Sequence, residues 1–216
     1  MSLKAGMIKR SLSAIMSIQV ERGFATIVRL AEYLSLSTAE SRDIISNLVR
    51  TGLATRSESK IFITDRGRHR IKVVMTGGVF DLIHMGHIAT LEEARRLGDM
   101  LAVVVARDIS VQRTKGRNPL NDEASRLRVV RSLKPVDAAI LGDKRDMYRT
   151  AQLIEPNVIA IGYDQKHDEG RIVVELRRRG VRTQVKRLRV QVPGVKTSNI
   201  LSQIGSESYP HKRLKK

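Results

Sequence analysis

A chain of 216 residues with 40 Lys and Arg against 22 Asp and Glu carries a net charge of +18, and has length for one medium domain plus a small one. With no cysteine, disulfides, thiolate nucleophiles and cysteine-ligated zinc are excluded. No apolar run reaches bilayer length, no secretory leader is legible, and the expected setting is cytoplasmic with no membrane partner.

The charge is spread along the chain, since residues 1–72 hold 13 basic and 6 acidic side chains. Such a field favours phosphate-bearing partners, whether nucleotides or nucleic acid. The absence of Trp, with only three Phe, argues against extensive stacking on single-stranded nucleic acid. In chain order, "SAIMSIQVERG" predicts a first helix that stops at Gly23. "FATIVRLAEYLSLS" places Ile27, Leu30, Ala31 and Leu34 in helical spacing. "STAESRDIISNLVRTGL" opens on Ser37 or Thr38 as a cap and ends at Gly52. "ATRSESKIFIT" reads as two short strands around Ser57-Glu58-Ser59, and "TDRGRHR" as either a further helix or a junction.

Three helices closed by a small hairpin, over Ser11 to Ile71, resemble a winged helix-turn-helix domain. The resemblance rests on "LAEYLSLSTAESRDIISNLVRTGL" followed by "ITDRGR". It implies a third helix docked in the major groove of duplex DNA. Ser41, Arg42 and Asn47 would then face bases or backbone, with Arg56 and Lys60 near phosphates. Such domains also serve as dimerisation or protein-contact modules, so duplex DNA through residues 11–70 and a homodimer both stand as partners.

From Ile71 the pattern alternates between strands and helices. The strands are "IKVVMTG", "MLAVVVA", "DAAIL", "NVIAIG" and "TQVKRLRV"; the helices are "ATLEEARRLG", "NDEASRLRVVRSL", "DMYRTAQLI" and "HDEGRIVVELRRRG", with a short final one in "KTSNILSQI". The near-continuous apolar run in "MLAVVVA" suits a strand covered on both faces. The expected fold is α/β: a Rossmann-like three-layer domain with a mostly parallel sheet, preceded by the small helical domain.

Ligands of such sheets bind beyond the C-terminal ends of the strands. "TGGVFDLIHMGH" falls there. Gly77 and Gly78 admit a close backbone approach, and the following helix offers free N–H groups to phosphate. His84 and His87 reach one small volume. Three readings stand: metal ligation with Asp81 as a third ligand, packing, or a pair of imidazole donors for a phosphate. No "GKS" or "GKT" marks a P-loop.

"GGVFDLIHMGH" is similar to the signature of the HxGH nucleotidyltransferase superfamily, with His84-Met85-Gly86-His87 in the four motif positions. "EEARRLGDMLAVVVARD" extends the likeness to the cytidylyltransferase-like branch. "VVVARDISVQRTKGRNPL", "LKPVDAAILGD" and "VIAIGYDQKHDE" look most like archaeal FAD synthetase, over Lys72 to Ile204. The resemblance implies an acceptor phosphate attacking the α-phosphate of ATP or CTP, with pyrophosphate leaving. The acceptor would be FMN, or a small phosphorylated alcohol such as glycerol 3-phosphate. It implies phosphate contacts from His84 and His87, from Lys115 on a mobile loop, and from Arg126. The nucleotide would lie against Gly77, Gly78, Val79, Phe80 and Asp81, with Asp108 nearby. Gly162, Tyr163, Asp164 and Gln165 would sit near sugar and base, and Thr197 and Ser198 on the outer phosphates. Asp81 could instead buttress the turn. Mg2+ would travel mainly on the triphosphate, with no dedicated protein metal site. Gly78 stands where the signature usually carries Thr or Ser after its first glycine. The expected division is 1–70 winged-helix-like, 71–205 nucleotidyltransferase and 206–216 a basic tail. A DNA-binding regulator with a nucleotide-sensing domain remains the alternative of a different class.

Overall fold

The structure, a computed structural model, describes residues 4–192. It opens with three helices, α1 (Ala5–Arg22), α2 (Ile27–Leu34) and α3 (Thr38–Arg50). α1 begins at Ala5, well before the expected Ser13, and stops at Gly23, whose φ of 87° lets its N–H close on Gln19 C=O. Thr26 caps α2 by accepting from Arg29 N–H. Ser37 and Glu40 form a reciprocal capping box at the start of α3. β1 (Ala54–Ser57) and β2 (Lys60–Ile63) pair antiparallel, and the single turn α4 (Asp65–Arg68) follows. α4 lies so close to the hairpin that a Cβ on Gly67 would come within 2.0 Å of Leu53 C=O.

Five parallel strands then form one sheet in the order β5-β4-β3-β6-β7. They are β3 (Val73–Gly78), β4 (Met100–Val105), β5 (Ala138–Leu141), β6 (Val158–Ile161) and β7 (Gln184–Arg187). The crossovers are α5 (Met85–Arg95), α6 (Asp108–Lys115), α7 (Glu123–Arg131), α8 (Met147–Ile154) and α9 (Glu169–Arg178). Asp122, Asp146 and Asp168 cap α7, α8 and α9. The fold is therefore a doubly wound α/β sheet, and strand order reverses between β3 and β6. The expected "KTSNILSQI" helix and the basic tail lie outside the described residues.

Side chains alternate across the sheet as strand geometry requires. Leu101, Val103, Val105 and Ala139 pack on one face with Leu91, Ala94 and Val130 of α5 and α7. Ile159 and Ile161 pack on the other with Ala151, Ile172 and Leu176 of α8 and α9. That second face would be bare over β4 and β5. α1 fills the place: Leu12 and Ile15 share one core with Met100, Ala102 and Ala138. The first helix thus belongs to the sheet's layers as well as to the helical bundle. Glu21 reinforces the seam, accepting from Ala139 N–H at 2.8 Å and Arg131 Nε at 3.0 Å. Among the described residues no helix is long and apolar enough to cross a membrane.

Candidate active site

The end of β3, the turn Val79–Ile83 and the start of α5 form the floor of the site. Phe80 adopts φ 54°, a left-handed conformation that costs a side-chain-bearing residue about 1–3 kcal/mol. Its buried ring turns back over Gly78, where an added Cβ would meet it at 2.9 Å. Space occupied by that ring explains why Gly78 carries no side chain. Phe80 also lies against His87, ring centroids 5.4 Å apart.

α5 starts at Met85, so that His87 lies in its first turn and His84 just before it, and that first turn is the motif itself. His84 occupies the cap position but no side chain caps the helix. N–H groups at its start remain open to an anion, reinforced by the helix dipole. The His84 and His87 rings stack at 3.9 Å, tilted by 34°. Neither buried Nδ1 has a hydrogen-bond partner. Burial lowers the His84 pKa. Burial, then His84 and Lys115, push His87 down to about 4, with Asp164 opposing. Both shifts favour the neutral imidazole.

Lys115 is the last residue of a helix rather than part of a loop. α6 was not expected in "RDISVQRTK", where Val111 is the one buried side chain. Gly116, at φ 67°, closes the helix and leaves Lys115 exposed at its end, near enough to act on His87.

Asp81 is buried, and its carboxylate accepts from Leu120 N–H at 2.9 Å and Asn121 N–H at 3.0 Å. It therefore ties the motif turn to the segment after Lys115, and the metal reading loses its third ligand. Among the described residues no three His, Cys, Asp or Glu side chains group closely enough to hold a metal ion.

Arg126 corrects another expectation. Its side chain is 0 % exposed, so it does not face a ligand. It donates to Asn121 C=O at 3.0 Å, Ala106 C=O at 2.7 Å, Asp108 Oδ1 at 2.6 Å and Val79 C=O. Those bonds lock the ends of β3 and β4 together, and Asp108 is the counter-charge. Gln165 is likewise committed to backbone, accepting from Gly162 N–H at 3.2 Å and donating to Gly77 C=O at 2.9 Å. Gln165 thus joins the strands flanking the switch point, where Asp164 is exposed and Tyr163 half-buried. Thr197 and Ser198 lie outside the described residues.

Arg187 escapes a reading of the sequence, hidden in the basic run "RRRGVRTQVKRLR". From β7 it donates to the carbonyls of Gly162, Gln165 and His167 and pairs with Glu169 at 2.9 Å. It shapes the whole Gly162–His167 loop. Arg107 similarly joins Gly142 C=O to Glu123. A strand's burial pattern marks neither residue.

In the N-terminal helical part, α3 exposes Arg42, Ser46, Val49 and Arg50 and leaves Asn47 half-exposed. Ser41 is completely buried against the helical core, so it cannot face DNA.

The HxGH stretch thus stands where a glycine-bearing strand end meets an uncapped helix start, with two stacked imidazoles beside it, the place where doubly wound sheets bind their ligands. The cytidylyltransferase-like family matches residues 75–203, and the chain belongs to that family; it is a nucleotidyltransferase. The FAD synthase of Aciduliprofundum boonei is 52 % identical over 116 residues, covering 54 % of this chain and 77 % of that one. The FAD synthase of Ferroglobus placidus is 48 % identical over 121 residues, covering 56 % and 78 %. A crystal structure of the lipopolysaccharide core biosynthesis protein from Thermoplasma volcanium is 43 % identical, with a TM-score of 0.55. It covers 56 % of this chain and 99 % of its own.

Proposed function

We propose that the protein transfers AMP from ATP to FMN, forming FAD and pyrophosphate. The observation that carries the reading is the stacked, neutral His84–His87 pair at the uncapped start of α5, in a chain about half identical to FAD synthases over its α/β part.

An FMN phosphate oxygen attacks the α-phosphorus in line, and the bond to the bridging oxygen of pyrophosphate breaks. The acceptor phosphate is already ionised, so no covalent enzyme nucleophile is required. What the protein supplies is alignment and donors for charge growing on the phosphates. The α5 N–H groups and the two imidazoles receive the triphosphate from one side, and Lys115 from the other. Arg126, Asp81 and Gln165 hold that frame without touching substrate. Mg2+ would arrive with the triphosphate and neutralise part of its charge.

CTP-dependent transfer to a phosphorylated alcohol is the rival reading. Pyrophosphate release measured for ATP and CTP, each with FMN or glycerol 3-phosphate, separates them. Release with ATP and FMN alone is expected; release with CTP and glycerol 3-phosphate alone overturns the proposal.

For residues 1–70 we propose a winged helix-turn-helix module that contacts duplex DNA through Arg42, Asn47 and Arg50 of α3, with Arg56 and Lys60 beside it. The order α2, short turn, α3 and hairpin supports this reading. Retardation of a labelled duplex should weaken steeply with salt, and Arg42→Ala with Arg50→Ala should reduce it. Equal retardation by that variant defeats the DNA reading and leaves the enzyme assignment intact.

A further inference from the structure

On the edge of the sheet opposite the HxGH site, a cleft of about 490 Å³ opens between the first helices and the α/β part. That volume lies within the range of small-molecule sites. One wall is Lys9, Arg10 and Ser13 of α1 with Tyr33 of α2; the other includes Arg95, Asp99 and Asp137. Asp99 and Asp137 stand at the starts of β4 and β5, whereas the HxGH motif follows the end of β3. The length of a six-residue strand, about 20 Å, separates the two regions.

The charges of the cleft are unevenly satisfied. Asp99 accepts from Lys72 N–H at 2.8 Å. Asp137 accepts from Leu101 N–H at 2.7 Å and pairs with Arg95 Nε at 2.8 Å. Arg10, by contrast, bonds only to Leu34 C=O at 3.3 Å, and among the described residues no carboxylate lies in ion-pair range of it. Lys9 reaches Asp99 at 3.3 Å from an exposed position, a contact that a stronger anion displaces easily. Lys9 and Arg10 follow one another on α1, are both exposed, and both line the cleft, whereas the Ser13 hydroxyl is buried behind them. Burial and Asp137 push the Tyr33 pKa up to about 12, keeping its hydroxyl neutral beside them.

We propose that this cleft binds a phosphate-bearing small molecule of nucleotide size, with Arg10 and Lys9 holding the phosphate. A phosphate suits two neighbouring cations better than a carboxylate does, because it presents more acceptor oxygens to diverging donors. The ligand would join α1 and α2 to the N-terminal edge of the sheet and act as an effector rather than a substrate.

The test uses the full chain with His84→Ala and His87→Ala, so that the strand-end site is disabled and the outcome is independent of the activity assignment. Calorimetric titration with pyrophosphate, AMP, FMN and FAD should find at least one of them bound one to one with a Kd below about 1 mM. Arg10→Gln should weaken that binding by about tenfold or more. Ser11→Ala, which removes a buried hydroxyl that does not line the cleft, should leave it unchanged. Binding of pyrophosphate as tight as that of the nucleotides identifies phosphate as the recognised group; preference for FMN or AMP identifies the organic body. No probe bound within that range, or binding indifferent to Arg10→Gln, overturns the proposal.

Discussion

On the proposed reading His84 and His87 act as neutral donors to the phosphates, and each should be necessary. Replacing either by Ala should lower turnover about 10²-fold or more while leaving the far-ultraviolet circular dichroism unchanged. Near-wild-type turnover in both variants would remove them from the chemistry. Their titration adds a second expectation. The folded His87 pKa, about 4, lies below the ordinary 6.5. Its contribution to stability is therefore fully present above about pH 6.5 and lost as pH falls through the window towards 4. Denaturation midpoints should fall across that window more in wild type than in His87→Gln. Arg126→Met would leave Asp108 unpaired and three carbonyls without donors. A loss of about 3–5 kcal/mol is expected in urea denaturation. At this scale the sequence conveys residue types but not directions. His84 and His87 were legible because their spacing is the signal. Arg126, Asp81 and Gln165 carry the chemistry of ligand-facing groups, yet their side chains turn inward to satisfy backbone, a choice settled by neighbours distant in the chain.

Elements with strong apolar periodicity were legible to within a few residues: α2, α3, α8 and all five parallel strands. α6 was not, since only Val111 of its eight residues is buried and Ile109 faces solvent. With so little apolar face, its existence rests on its place in the fold and on the Gly116 stop. α1 was legible only in its second half because Lys4 to Arg10 lie mostly exposed. The consequence is structural. Leu12 is fully buried between the bundle and β4–β5, so Leu12→Ala should cost about 2–5 kcal/mol. A single unfolding transition should register that loss in both the sheet and the helical part; loss confined to the helical part would mean that α1 does not couple them.

The whole molecule is a doubly wound sheet whose second face is completed by the first helix. That arrangement could not be read from the sequence, since helical spacing says which face is apolar but not what it covers. Residues 71–216 alone would expose Met100, Ala102 and Ala138 and should aggregate or lose cooperative unfolding. The charge of +18 suits phosphate-bearing partners at the strand ends, the opposite cleft and α3 alike, without distinguishing them. The central claim concerns the strand ends alone, and one measurement addresses it most directly. The full chain is incubated with Mg2+, equimolar ATP and CTP, FMN and glycerol 3-phosphate, and the products are identified by mass. FAD should accumulate with an equal amount of pyrophosphate and no cytidine-containing product. CDP-glycerol without FAD would contradict the account.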